Sequence, residues 1–152
     1  MKNFLKKIYL LIPFKKNFYQ LIRKFYIPPK RVFRYMRFSE DFTINLTNDK
    51  KFKILNSNFS KGAFIENEIF WKGIDNCWEA TSVKIWRKFA EKGFIIFDVG
   101  ANTGIYSFIA ATMNKNSKVF AFEPNNAYFP ILENNIRLNN YQNIVFPIKK
   151  AV

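Results

Sequence analysis

Asp98-Val-Gly-Ala-Asn-Thr-Gly104 follows the apolar run Phe94 to Phe97 and precedes an amphipathic run. The stretch reads as a buried strand that ends on a carboxylate, a sharp turn at Gly100, and a helix opening near Thr103 with unpaired backbone N–H groups. Small residues in such a turn let the backbone approach a ligand closely. Ile105, Phe108, Ile109 and Thr112 then recur at helical spacing. One face of that helix can pack on a sheet while its N-terminus points at the ligand. Together these features describe a nucleotide-binding turn.

A second apolar strand, Lys118 to Phe122, ends on Glu123, which stands 23 positions after Gly100. That is the spacing of an acid that binds ribose. In a right-handed βαβ unit the two strand ends lie side by side, so Glu123 can accept hydrogen bonds from both hydroxyls of a nucleoside held over the turn. A glutamate that ends a strand is ordinarily a solvated terminus, and its combination with Asp98 and Gly100 is what favours the functional reading. The dinucleotide fingerprint G-x-G-x-x-G, laid on Gly100, requires glycine at 102 and 105, where this chain has Asn102 and Ile105. An oxidoreductase with a dinucleotide cofactor is therefore not expected. A pyrophosphate needs close backbone approach and a helix N-terminus, whereas a ligand with an amino acid and a sulfonium is served by carboxylates such as Asp98.

Three stretches, FDVGANTGIYS (Phe97 to Ser107), FAFEPNNAYF (Phe120 to Phe129) and ENNIRLNN (Glu133 to Asn140), resemble the FkbM-type S-adenosylmethionine-dependent methyltransferases. Upstream, FWKGIDNCWEATSVKIWRKF (Phe70 to Phe89) is similar to the lead-in of that family, with Glu79 at a position where it commonly has Glu. The resemblance covers roughly Glu66 to Val152 and leaves the first sixty residues outside it. It implies an α/β, Rossmann-like class I methyltransferase fold, S-adenosylmethionine as donor, and O-methylation of a sugar hydroxyl on a glycan or related metabolite. Carried over by position, Asp98, Gly100, Ala101 and Asn102 would line the methionine end of the cofactor, and Glu123 would hold the ribose. Pro124 and Asn125 would shape the rim beside the adenine, and Gly104 would allow close helix packing. Glu79 has a competing reading as a helix-start residue favoured by the dipole.

From Phe94 to Val152 there are 59 residues, enough for about two βαβ units of roughly 30 residues that share a strand. Asn143 to Pro147 would be the third strand. The resemblance puts the acceptor pocket, the adenine-capping residue and the catalytic base in further strands, so an incomplete N-terminal, cofactor-binding portion is expected and no catalytic residue is assigned. The alternative is a non-catalytic membrane-associated or interaction module that retains a cofactor-binding half-domain.

At 152 residues, 49% hydrophobic and 19% aromatic, the chain can build a single core. With no histidine, imidazole bases and His-ligated metals are excluded, and no metal is expected. The single Cys77 cannot form an internal disulfide, which fits a reducing cytoplasm, and it reads as buried rather than reactive. Charge is uneven. Residues 1–39 hold eleven of the 25 Lys and Arg and no acid, so +11 of the +14 net charge lies there. Within them Phe14, Phe18, Leu21, Ile22 and Phe25 fall on one helical face, and Lys16, Asn17, Gln20, Arg23 and Lys24 on the other. Pro13 separates this helix from a shorter stretch, Phe4 to Ile12, and Pro28-Pro29 ends it.

Such a helix suits an anionic membrane surface through residues 1–27, peripheral on the inner face, and equally suits packing on the domain with a solvated basic side. The uncharged run Ile8 to Phe14 is too short for a transmembrane helix or an export signal. Nucleic-acid binding has charge and aromatics in its favour but no recognised motif.

Phe42, Ile44 and Leu46 alternate with polar residues, Asn48-Asp49-Lys50 turns, and Phe52 and Ile54 resume the alternation, which predicts a β-hairpin covering a domain edge or the approach to the site. Thr81 or Ser82 would cap a helix with Val83, Trp86, Phe89 and Ala90 buried, ended by Gly93. Trp71, Trp78 and Trp86 read as packing residues. The organisation expected is a basic helical segment (1–39), a hairpin and lead-in helix (40–93), and the N-terminal half of a Rossmann-like domain (94–152).

Overall fold

The computed structural model describes residues 14–36, 38–56 and 64–152, and the expected stretch Phe4 to Ile12 lies outside them. From Phe94 onward the alternation of strand and helix signals yields β3 (Ile95–Val99), α5 (Ile105–Met113), β4 (Lys118–Phe122), α6 (Phe129–Leu138) and β5 (Val145–Ile148). The strands pair in parallel in the order β3-β4-β5, with Asp98 opposite Ala121 and Phe120 opposite Phe146. The result is two βαβ units sharing β4, the α/β arrangement that the sequence predicts. Strand β5 begins two residues later than expected, because the N–H groups of Ile144 and Val145 both turn back to the Tyr141 carbonyl.

One face of the sheet is buried. Ile96, Val119, Ala121 and Val145 point into the core, and α5 contributes Phe108, Ile109 and Thr112, all buried as their spacing predicts. The opposite face carries Ile95, Phe97 and Val99 exposed, and Phe97, Phe120 and Phe146 stack across the three strands at 5.5 Å between successive rings. Parallel sheets are ordinarily covered on both faces; among the described residues this one is covered on one.

The preceding hairpin, β1 (Asp41–Asn45) and β2 (Lys51–Leu55), is antiparallel, with Phe42, Ile44, Leu46, Phe52 and Ile54 buried as the alternation requires. It packs on α5 and α6 rather than on a sheet edge. Phe52 meets Phe108 at 5.9 Å. The outer edge of β2 needs partners for its backbone, and α6 supplies them one turn apart. Asn135 Oδ1 accepts from Leu55 N at 2.9 Å, while Asn139 Oδ1 accepts from Lys53 N and its Nδ2 donates to Lys53 O, both at 2.7 Å.

Ahead of β3 stand α3 (Phe64–Lys72), a 3-10 turn (Ile74–Asn76) and α4 (Ala80–Ala90). Helix α3 is buried from Glu66 through Trp71, and Gly73 at φ 79° ends it. In α4 Val83 and Ala90 are buried and Trp86 packs against the core, whereas Phe89 is exposed and the cap position is Glu79 with no side-chain cap bond, not Thr81 or Ser82. The N-terminal helices α1 (Lys15–Phe25) and α2 (Lys30–Phe33) flank Pro28-Pro29. They join the domain through an aromatic cluster in which Tyr19 and Phe33 lie 5.6 and 6.2 Å from Trp71 and Phe38 lies 4.6 Å from Phe70. Among the described residues no helix is long and apolar enough to cross a membrane.

Candidate cofactor site

The turn between β3 and α5 is pinned to the neighbouring strand. Gly100 N and Ala101 N both donate to Phe122 O at 2.9 Å, so the turn closes over the end of β4. Gly100 sits at φ 79° with nothing within 4 Å of where a Cβ would stand, so open space lies above it. Asn102 follows at φ 53°, a left-handed conformation that Asn tolerates better than most residues. Gly104, at φ 99°, begins α5 without a side-chain cap. A Cβ there would come within 2.5 Å of the Phe108 ring and 2.7 Å of Leu132 Cδ1, so close packing of α5 on α6 depends on this glycine.

Beside the turn lies a cleft of about 190 Å³, whose lining includes Glu79, Asp98, Gly100, Ala101, Asn102 and Tyr106. Asp98, next to last in β3, accepts a 2.6 Å hydrogen bond from Ser107 Oγ on the first turn of α5. Burial pushes its carboxyl above the ordinary aspartate range, the Ser107 bond opposes this, and the nearby Glu123 adds to the rise. Glu123 directly follows β4 and is almost fully buried, and its two oxygens accept Asn102 N and Asn125 N at 2.8 Å each. The carboxylate thus braces the turn after β3 to the loop after β4, and each oxygen keeps a second lone pair for a ligand. Pro124 and Asn125 stand exposed on that loop.

Four side chains outside the sequence assignment support the turn. Glu66 of α3 is buried and accepts from Thr103 Oγ1 at 2.5 Å, and burial pushes its carboxyl up against that bond. Tyr106 OH donates to Glu79 at 2.9 Å; burial and that carboxylate raise its hydroxyl to about 12. Asn135 Nδ2 donates to Thr103 O at 2.9 Å, so one amide ties the turn to the hairpin. Tyr106 and Ser107 belong to the first stretch that carries the resemblance and Asn135 to the third, which is the one signal that marked them. Glu66 lies outside all three stretches, and nothing local distinguishes a buried glutamate from a solvated one.

Of the tryptophans, Trp71 is buried and Trp86 Nε1 donates to Tyr106 O at 3.0 Å, while Trp78 is exposed on the cleft wall rather than packed in the core. Cys77 is buried, its thiol pushed up by burial, and Sγ donates to Ile74 O. The structure therefore brings together Glu79, Asp98, Gly100, Ala101 and Asn102 in one cleft, with Glu123 and the Pro124-Asn125 rim adjoining it and Gly104 acting in helix packing.

No family model matches the chain, and no curated protein matches it in sequence. Solved structures do. A SAM-dependent methyltransferase from Agrobacterium tumefaciens aligns with 75% of this chain and 33% of its own, at 14% identity and a TM-score of 0.50. TYW2 of P. horikoshii in complex with MeSAdo covers 75% of this chain and 37% of its own (19% identity, TM-score 0.48), and precorrin-6y C5,15-methyltransferase from Geobacter metallireducens covers 49% and 38% (20%, 0.42). The chain thus spans 33% to 38% of the length of these structures, and over the part it shares with the Agrobacterium enzyme it has the Rossmann-like fold of a class I methyltransferase.

Proposed function

We propose that this chain is the cofactor-binding portion of an S-adenosylmethionine-dependent methyltransferase of FkbM type, acting on a sugar hydroxyl of a glycan or related metabolite. One observation carries the cofactor reading. Asp98 and Glu123 lie at the C-terminal ends of adjacent parallel strands, Asp98 next to last in β3 and Glu123 just after β4, and Glu123 is hydrogen-bonded to the Gly100 turn through Asn102 N. The residues fit the ligand: open space over Gly100 admits it, and the carboxylates of Glu79 and Asp98 in the cleft wall favour its cationic amino acid and sulfonium end. Glu123 remains able to accept from ribose hydroxyls, and Pro124 and Asn125 form the rim beside it.

When bound, the cofactor supplies the methyl group and its sulfonium leaving group. This chain's residues bind and orient: Asp98 must be ionised to attract the cationic end, and Ser107 holds its carboxylate in place. Aligned placement of acceptor and donor accounts for much of the acceleration in such reactions. Neither Asp98 nor Glu123 is assigned as the base. The sugar acceptor rests on the motif resemblance of Phe97 to Ser107 and Phe120 to Phe129. Competition calorimetry tests the cofactor class: S-adenosylhomocysteine is expected to bind and NAD not to, and the reverse preference overturns the reading. The acceptor class is tested by transfer of labelled methyl groups to hydroxyl-bearing sugars by an enzyme containing this portion. Transfer to nucleic acid or to a nitrogen instead would contradict it.

A further inference from the structure

Helix α1 is docked with four of the five residues of its apolar stripe facing away from the protein, while Ile22 packs partly buried against the core. Phe14, Phe18, Leu21 and Phe25 follow one another at steps of four, three and four residues, which places them on one face. They are 73%, 61%, 55% and 85% exposed. The side that meets the domain carries Tyr19, which is buried between Phe38 and Trp71. Arg23 anchors the same side, its Nη1 donating to Phe70 O and its guanidinium lying 4.7 Å from the Phe70 ring centroid. Beyond the helix the exposed apolar surface continues through Tyr26, Ile27 and Val32.

We propose that this face of α1 seats the protein on an anionic phospholipid surface, the helix lying in the plane of the interface. Charge selects the occupant. Lys24 and Arg31 are exposed in the same segment, and residues 1–39 contain no Asp or Glu. A second copy of this chain would bring two strongly basic segments together, and a nucleic acid would meet the cations but leave the phenylalanines without a partner. Anionic headgroups satisfy the cations while the acyl boundary takes the aromatic rings. At 11 residues α1 extends about 16 Å, half of a hydrocarbon core, so it lies on a membrane rather than across it. The arrangement is independent of the cofactor site.

Co-flotation of the full chain with phosphatidylcholine vesicles, with and without phosphatidylglycerol, tests this. The chain is expected to float with the anionic vesicles and not with phosphatidylcholine alone. Phe18→Asp with Phe25→Asp, changes at exposed positions, should weaken that binding by about tenfold or more, and Lys24→Glu with Arg31→Glu should weaken it independently of the aromatic rings. Phe89→Asp, at an exposed phenylalanine of α4, should leave it intact. Absence of binding to anionic vesicles, or equal binding by wild type and both double variants, overturns the proposal. So does a lipid-free dimer in sedimentation velocity that the double aspartate variant dissolves, since the stripe would then join two copies of the chain. Binding to nucleic acid that competes with vesicles and survives the aspartate changes, with vesicle binding unaffected by them, overturns it as well.

Discussion

Helices α1 and α5 both carry a stripe at helical spacing, yet α5 is buried on every side but that of Tyr106, whereas α1 turns most of its stripe outward. In α5 the stripe Ile105, Phe108, Ile109 and Thr112 is buried between the sheet and the hairpin, and the helix begins just after the Gly100 turn. In α1 the stripe Phe14, Phe18, Leu21 and Phe25 faces outward, while Tyr19 and Arg23 on the other side join the domain. Periodicity states that the two faces of a helix differ; it does not state which face the core takes. The sequence suited both a membrane surface and packing on the domain; Tyr19 against Phe38 and Trp71, with Arg23 on Phe70, holds the other side of α1 to the domain.

The comparison can be broken most severely at the start of α5. Gly104→Ala adds a Cβ at positive φ against Phe108 and Leu132, and urea unfolding is expected to show a loss of about 4 kcal/mol. A near-neutral change would mean that α5 and α6 are not packed as described. In α1 the corresponding weight falls on the inward residue: Tyr19→Ala should cost about 3 kcal/mol, and a negligible cost would detach α1 from the domain.

A smaller effect concerns pH and the two buried carboxyls beside the Gly100 turn. Asp98 and Glu66 hold their protons more tightly in the folded chain than their ordinary values allow, in both cases chiefly through burial. Between the unfolded carboxylate range and these raised values the folded state binds more protons than the unfolded state, so their contribution to stability declines as pH rises through that window. Asp98→Asn should flatten the decline in urea midpoint with pH, and an identical slope in wild type and variant would contradict the assignment. The smallest effect is expected at Phe18, where Phe18→Ala should change stability by no more than about 0.5 kcal/mol. A cost matching that of Tyr19→Ala would show the outward stripe to be covered.

The strand-turn-helix around Gly100 was legible because three independent signals coincide there: an apolar run, the glycines of the turn, and a carboxylate 23 positions after Gly100. The hairpin was legible from its alternation, but not where it packs, since the Asn135 and Asn139 amides that satisfy β2 look like ordinary solvated helix residues in the sequence. Phe89 fits the apolar stripe of α4 and is nonetheless exposed, and Trp78 is on the cleft wall. Both errors follow from assigning burial by residue type and spacing, without knowing which neighbours arrive. Glu66 went unrecognised because its partner, Thr103, is 37 residues away.

In the function proposed above, the paired C-terminal ends of β3 and β4 hold S-adenosylmethionine. Calorimetric titration of the chain with S-adenosylhomocysteine, in parallel with Asp98→Ala and Glu123→Ala variants shown by circular dichroism to be folded, tests it most directly. The account predicts saturable binding by the wild type that is weakened by about tenfold or more in each variant, in line with the loss of charge-assisted hydrogen bonds. Absence of binding by the folded wild type, or equal affinity in all three proteins, would contradict it.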